Sequence, residues 1–141
     1  STRTVFRNSD WQNSLSLWLA TSKVSVNSAR VYNNLGDAYG SVGSPEMSLL
    51  SFKRAIEIDP NYADALHNLG NTYFQNKEYD LAFPLLEKSI LINPGLYQSY
   101  YKMGVISYYR KDNVKAKEYF AKTLELNPGY ADTRQIIELM K

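Results

Sequence analysis

Apolar side chains recur along the chain in short blocks at three- and four-residue spacing, and the blocks themselves recur. Tyr32, Leu35, Ala38, Tyr39 and Val42 mark one helical face. After a break at Gly43-Ser44-Pro45, a second face follows in Leu49, Phe52, Ala55 and Ile56. Ser44 suits the N-cap of that second helix, and Pro45 suits its first turn, where a missing N–H costs nothing. The face stops before Asp59-Pro60, because proline disfavours α geometry in the residue before it. The same pair of faces returns as Leu66, Leu69, Tyr73 and Phe74, then Leu81, Ala82, Leu85, Leu86 and Ile90. It returns again as Tyr100, Met103, Val105 and Ile106, then Val114, Ala116, Phe120 and Leu124.

Pro60, Pro94 and Pro128 recur at one constant 34-residue step. The same step relates Leu35-Gly36 to Leu69-Gly70 and Met103-Gly104, Phe52 to Leu86 and Phe120, and Ala55 to Ser89 and Thr123. Four columns in register over three copies define a repeat of helical hairpins. Gly36, Gly70 and Gly104 fall mid-helix, where each costs roughly 1 kcal/mol against alanine. Close approach of the second helix explains such a repeated cost, with Ser48, Ala82 and Ala116 as the expected small facing side chains. Pro84, inside the second helix of the middle copy, should kink that helix or distort its first turns.

This pattern resembles the tetratricopeptide repeat family over residues 29–130. The resemblance implies an all-α fold, a right-handed α-α superhelix or solenoid. It would comprise three hairpins at 29–62, 63–96 and 97–130, an N-terminal segment at 1–28 and a capping helix at 131–141. One departure is Gly104…Ser107, which replaces the Gly-x-x-Tyr of Gly36…Tyr39 and Gly70…Tyr73 and displaces the tyrosine to Tyr108. The capping helix carries Ile136, Ile137, Leu139 and Met140 inward, with Asp132, Arg134, Glu138 and Lys141 on its solvated side. At the other end, Asp10–Lys23 reads as the second helix of a repeat whose first helix is missing. Asp10 would be its N-cap, and Trp11, Leu15, Trp18 and Leu19 its apolar stripe, with Trp18 one repeat step before Phe52. Both tryptophans read first as core or cap residues, with ligand contact as the other reading.

The stretch Arg7-Asn8-Ser9-Asp10-Trp11…Leu17-Trp18, followed by Ser28-Ala29-Arg30-Val31-Tyr32-Asn33-Asn34-Leu35-Gly36, resembles the junction in transmembrane-and-TPR proteins. Those are polytopic relatives of lipid-linked sugar transferases. That likeness implies a domain excised from a membrane protein and facing the extracytoplasmic side of a bacterial membrane or an equivalent lumen. Otherwise the domain is cytoplasmic. No apolar run in the chain itself approaches the ~18 residues needed to cross a bilayer, and residues 1–10 show no signal-peptide pattern, so the piece reads as soluble.

Composition narrows the chemistry. With 141 residues, 44% hydrophobic and 21% charged, the chain can fold as one domain. It has no cysteine and a single histidine, His67, so neither a thiolate site nor a usual zinc site is available. No Gly-rich phosphate loop is present, and Glu57 and Asp59 read as a solvated helix end. The chain is therefore expected to be no enzyme and to hold no cofactor or metal. A net charge of +2 does not suggest nucleic acid. Lys111, Lys115, Lys117 and Lys122 do interleave with Tyr108, Tyr109 and Tyr119, but Asp112 and Glu118 interrupt them.

The family resemblance makes the first helix of each pair the binding surface, a concave groove for a protein or peptide. Its columns hold Arg30, Asp64 and Gln98; Asn33, His67 and Tyr101; Asn34, Asn68 and Lys102; Asp37, Asn71 and Val105; and Gly40, Phe74 and Tyr108. Asn34 and Asn68 resemble two rungs of the asparagine ladder in O-linked N-acetylglucosamine transferases, where amides grip a peptide backbone. Simple tolerance of asparagine on a solvated face is the competing reading. Phe74, Tyr101 and Tyr108 would supply apolar contacts. The carboxylate clamp of chaperone-binding relatives is not expected. Of its columns, Asn33, Asp37, Asn68, Gln98 and Lys102, only Asn68 and Lys102 fit, and Asp37 would repel a carboxylate. Two further readings stand beside peptide binding: an acceptor-binding accessory of a membrane-bound glycosyl transfer enzyme, and self-assembly into a homo-oligomer through the array's ends.

Overall fold

The computed structural model describes residues 2–140, with the side chains of 2–11, 131, 132 and 139 outside the description. Among the described residues the repeating columns become helices and no strand. In chain order these are α1 (Thr2–Val24), α2 (Ala29–Ser41), α3 (Pro45–Ile58) and α4 (Ala63–Gln75), then α5 (Tyr79–Ile92), α6 (Tyr97–Tyr109), α7 (Asn113–Leu126) and α8 (Ala131–Leu139). The roles expected of the Trp11, Asp132, Leu139 and Lys141 side chains lie outside the described residues.

The hairpin turns repeat as closely as the helices do. Gly43, Lys77 and Lys111, at equivalent positions of the three copies, all adopt left-handed backbone with φ of 80°, 62° and 62°. The following residue then donates its N–H five residues back: Ser44 to Tyr39, Glu78 to Tyr73 and Asp112 to Ser107, each at 2.9 Å. Gly43, Lys77 and Lys111 donate theirs to Gly40, Phe74 and Tyr108. This double bond pattern is the Schellman closure of a helix end. The longer turns between hairpins use another device at the same period. The side-chain oxygens of Asp59, Asn93 and Asn127 accept from the backbone N–H two residues on, across a proline-containing turn.

The chain divides into two compact units, Ser1–Asn68 and Leu69–Lys141, with the boundary inside α4. In the first, Val31, Leu35 and Ala38 of α2 pack against Phe52 and Ala55 of α3. In the second, Ala82 and Leu86 of α5 pack against Met103 and Ile106 of α6, with Tyr73, Phe74, Tyr79, Phe83, Ile90 and Tyr119 around them. Ala116 and Phe120 of α7 are fully buried as well.

The glycine column does mark close approach, but the residue pressed onto it is the large one. A Cβ on Gly36 would lie 2.5 Å from the Phe52 ring, one on Gly104 2.6 Å from the Phe120 ring, and one on Gly70 2.9 Å from Leu86 Cγ. Ser48 adds a hydrogen bond to the Gly36 carbonyl at 2.7 Å. Ser48 thus faces the glycines as expected, and Phe52, Leu86 and Phe120 add the large contacts that the sequence reading did not assign.

One local expectation changes, and two others gain detail. Asp10 is no N-cap, because α1 begins at Thr2 and runs through it. Ser44 occupies the N-cap of α3 with Pro45 at the first helical position, yet its hydroxyl makes no capping bond. Helix α5 continues through the exposed Pro84. The capping helix α8 is present and packs on α7, burying Thr133, whose hydroxyl has no hydrogen-bond partner among the described residues.

Candidate functional site

In the first unit, the outward face of α2 and the first turns of α4 bring three expected residues together. Asn68 donates its side-chain amide to Asn33 Oδ1 at 3.0 Å and to Asp37 Oδ1 at 3.3 Å. Asn33 is 5% exposed, so it forms part of the packing beneath this face, contrary to the expectation that its column is spare. Asn34, one helical step away, is half-exposed and forms no side-chain hydrogen bond among the described residues. The two rungs of the expected ladder are therefore chemically unequal. The donors of Asn68 are engaged within the protein, while the amide of Asn34 is open.

Asp37 carries the electrostatic feature of this face. The residue is solvent-exposed overall, but its carboxyl is partly shielded, and that burial raises its pKa above the ordinary value of 3.8; the nearby Asp64 carboxylate raises it further. No described cation forms an ion pair with Asp37 or Asp64. Asp64 and Asp37 also raise the Tyr62 hydroxyl, after burial, whereas Arg30 acts in the opposite sense. Arg30 and Asp64 are exposed, and His67 is half-buried and already engaged in an interaction.

An open cleft of about 230 Å³ lies beside Asp37, lined by Ser14 and Trp18 from α1 and by Asn34, Asp37, Ala38 and Ser41 from α2. Ser41 donates its hydroxyl to the Asp37 carbonyl at 2.9 Å, which leaves its oxygen able to accept. Ser14 and Ser41 are not among the residues expected from sequence, and Trp18 is expected first as core. A signal for Trp18 does exist: it shares the column of Phe52 and Phe120.

The second unit offers a different surface. Lys102 on α6 is half-buried, and burial lowers its pKa; its ammonium meets no partner among the described residues. Tyr101 beside it packs edge-on to Tyr130 at 5.0 Å and tilted to Phe120 at 5.9 Å, and Tyr97 meets Tyr130 at 5.5 Å. Phe74 is tied to Tyr79, which stacks on Tyr109 at 5.4 Å, and Tyr109 meets Tyr108 edge-on. Tyr108 is 49% exposed. Phe74, Tyr101 and Tyr108 thus pack against Tyr79, Tyr130 and Tyr109. Asn71 and Gln98 are half-exposed and form no side-chain hydrogen bond among the described residues.

Among the described residues no three acidic, histidine or cysteine side chains gather as a metal site would require. No described helix is long and apolar enough to cross a membrane.

These features can be set beside known proteins. Sequence models described as "Tetratricopeptide repeat" match residues 29–62, 51–83 and 98–130. No curated protein sequence matches the chain. A crystal structure of MamA superposes with a TM-score of 0.81 at 26% identity, covering 94% of this chain and 77% of that one. MamA from Desulfovibrio magneticus RS-1 gives 0.81 at 21% identity, over 98% and 78%. The first TPR of Spaghetti (RPAP3), bound to the HSP90 peptide SRMEEVD, gives 0.73 at 19% identity, over 79% and 89%. The period, the hairpins, the three matched segments and these superpositions agree, and the chain belongs to the tetratricopeptide repeat family.

Proposed function

We propose that the chain is a protein-interaction module that binds peptide on the exposed faces of its first helices: α2 and the first turns of α4 in the first unit, and the rest of α4 and α6 in the second. The unengaged Asn34 amide on a partly shielded acidic face carries this reading, because polar groups with unspent bonding capacity are available to a partner. Asn34, Asp37 and Asp64 would supply polar contacts from the first unit. Lys102, Gln98, Asn71, Tyr101, Phe74 and Tyr108 would supply contacts from the second. A half-buried ammonium without a counter-charge suits a carboxylate on the ligand. The peptide bound to the RPAP3 repeat supports the general mode. The clamp residues do not carry over, since Asp37 is acidic and lacks a compensating cation.

The test is a phage-displayed peptide library selected on the whole chain, with the enriched peptides then mapped by NMR. Chemical-shift changes centred on α2, α4 and α6 are expected, and Asn34→Ala should weaken binding by about two- to tenfold. Changes centred on α3, α5 and α7, or peptides indifferent to Asn34→Ala, would overturn the reading.

A further inference from the structure

The cleft in the first unit is rich in acceptors, and no cation stands among its lining residues. On one side is the Asp37 carboxylate, held in place by the Asn68 amide through one oxygen. Asn34 contributes an unengaged side-chain carbonyl, and Ser41 an oxygen whose hydrogen is already committed to backbone. On the other side stands the half-buried Trp18 indole. An aromatic ring and a carboxylate lining one cleft, with further acceptors beside them, are what the long stem and charged head of a basic side chain need. The indole attracts the cation and covers its methylenes, and the carboxylate and carbonyl take its N–H groups.

We propose that this cleft receives a lysine or arginine side chain of the bound polypeptide, with Trp18 as its wall and Asp37 as its counter-charge. The inference rests on the peptide-binding reading above and names the partner's chemistry at one position. Charge complementarity selects the occupant. An acidic ligand would meet Asp37 and Asp64, neither of them ion-paired with a described residue, and an apolar one would bury the Asp37 carboxylate without a counter-charge. Shielding of that carboxyl, which raises its pKa, is relieved by an arriving cation.

The experiment titrates the isotope-labelled whole chain with N-acetyl-arginine methylamide, with the norleucine and glutamate analogues as comparisons. The arginine compound should shift the Trp18 indole N–H and the Asn34 side-chain amide. The glutamate compound should leave them in place, and the norleucine compound should bind at least tenfold more weakly. Asp37→Asn, which keeps an acceptor for Asn68, should weaken arginine binding about tenfold, as expected for loss of a charge-assisted bond. Equal binding of norleucine, or arginine binding unaltered in Asp37→Asn, would overturn the proposal, as would an absence of shifts at Trp18. Library peptides that contact α2, α4 and α6 but show no basic residue would remove this inference and leave peptide binding standing. Peptides that avoid those helices would remove both.

Discussion

At the scale of single residues, the fold depends on a few positions where a side chain has no room. Gly36 and Gly104 lie under the rings of Phe52 and Phe120, which are 4% and 0% exposed and have no flexible end to swing aside. Alanine there gains roughly 1 kcal/mol of helix propensity but drives a methyl into a packed ring. Gly36→Ala and Gly104→Ala should each destabilise by about 1–3 kcal/mol in urea titrations. Adding Phe52→Leu to Gly36→Ala should recover part of that loss, since Leu86 fills this column in the middle repeat. Asp37 behaves in the opposite way. Because its folded-state pKa is raised, the folded chain holds that proton more tightly than the unfolded chain. Stability from this group is therefore greatest at acid pH and falls as pH rises through the folded pKa, then stays flat. Asp37→Asn should leave stability near pH 7 unchanged or raise it by a few tenths of a kcal/mol, roughly. The gain should vanish below the ordinary Asp value of 3.8, as read by urea midpoints at the two pH values. By contrast, Asn68→Ala removes the donor to the buried Asn33 and should cost about 1–3 kcal/mol, so it is a poor probe of binding. Sequence could place Asn33, Asn34 and Asn68 on one face. It could not say that Asn68 spends its donors on Asn33 and Asp37, because such pairing depends on where α4 lies against α2.

At the scale of elements, legibility follows the punctuation. Proline and glycine carry backbone restrictions that hold wherever they stand, so Pro45, Pro60, Pro94 and Pro128 bracket the helices well. Residues 1–35 contain neither, and there the start expected for α1 is wrong. Asp10 has the chemistry of a cap, but a capping preference is worth only about 1 kcal/mol and does not stop a helix that nothing breaks. Glycine marks the hairpin turn in one copy only. Lys77 and Lys111 adopt the left-handed conformation of Gly43 because the Schellman bonds hold them there. Lysine is strained in that region and glycine is not. Lys111→Gly should therefore raise the midpoint of thermal unfolding, by up to about 1 kcal/mol of stability, although it loosens the unfolded chain. A lowered midpoint would mean that the Lys111 side chain contributes contacts beyond its turn.

At the scale of the whole molecule, the repeat period survives intact because it is written in size and backbone preference, which act locally. The candidate site is only partly visible in sequence because it depends on charge balance and on Trp18, a residue outside the three matched repeats. One consequence of the repeat construction can be measured directly. Helix α4 runs unbroken from Ala63 to Gln75 across the boundary between the two units, so the melting of either must unwind part of a helix belonging to both. Helical propagation is cooperative, and nearest-neighbour coupling in repeat proteins transmits such a loss. Both tryptophans, Trp11 and Trp18, lie in α1, so indole fluorescence reports on the first unit alone, whereas far-ultraviolet circular dichroism reports on every helix. The two signals should change together in urea, as two-state unfolding requires. Gly104→Ala, which acts only in the second unit, should then lower the fluorescence midpoint along with the dichroism midpoint. A fluorescence midpoint left at the unmodified value would show that the units melt independently, and α4 would have to break at Asn68-Leu69 to allow it.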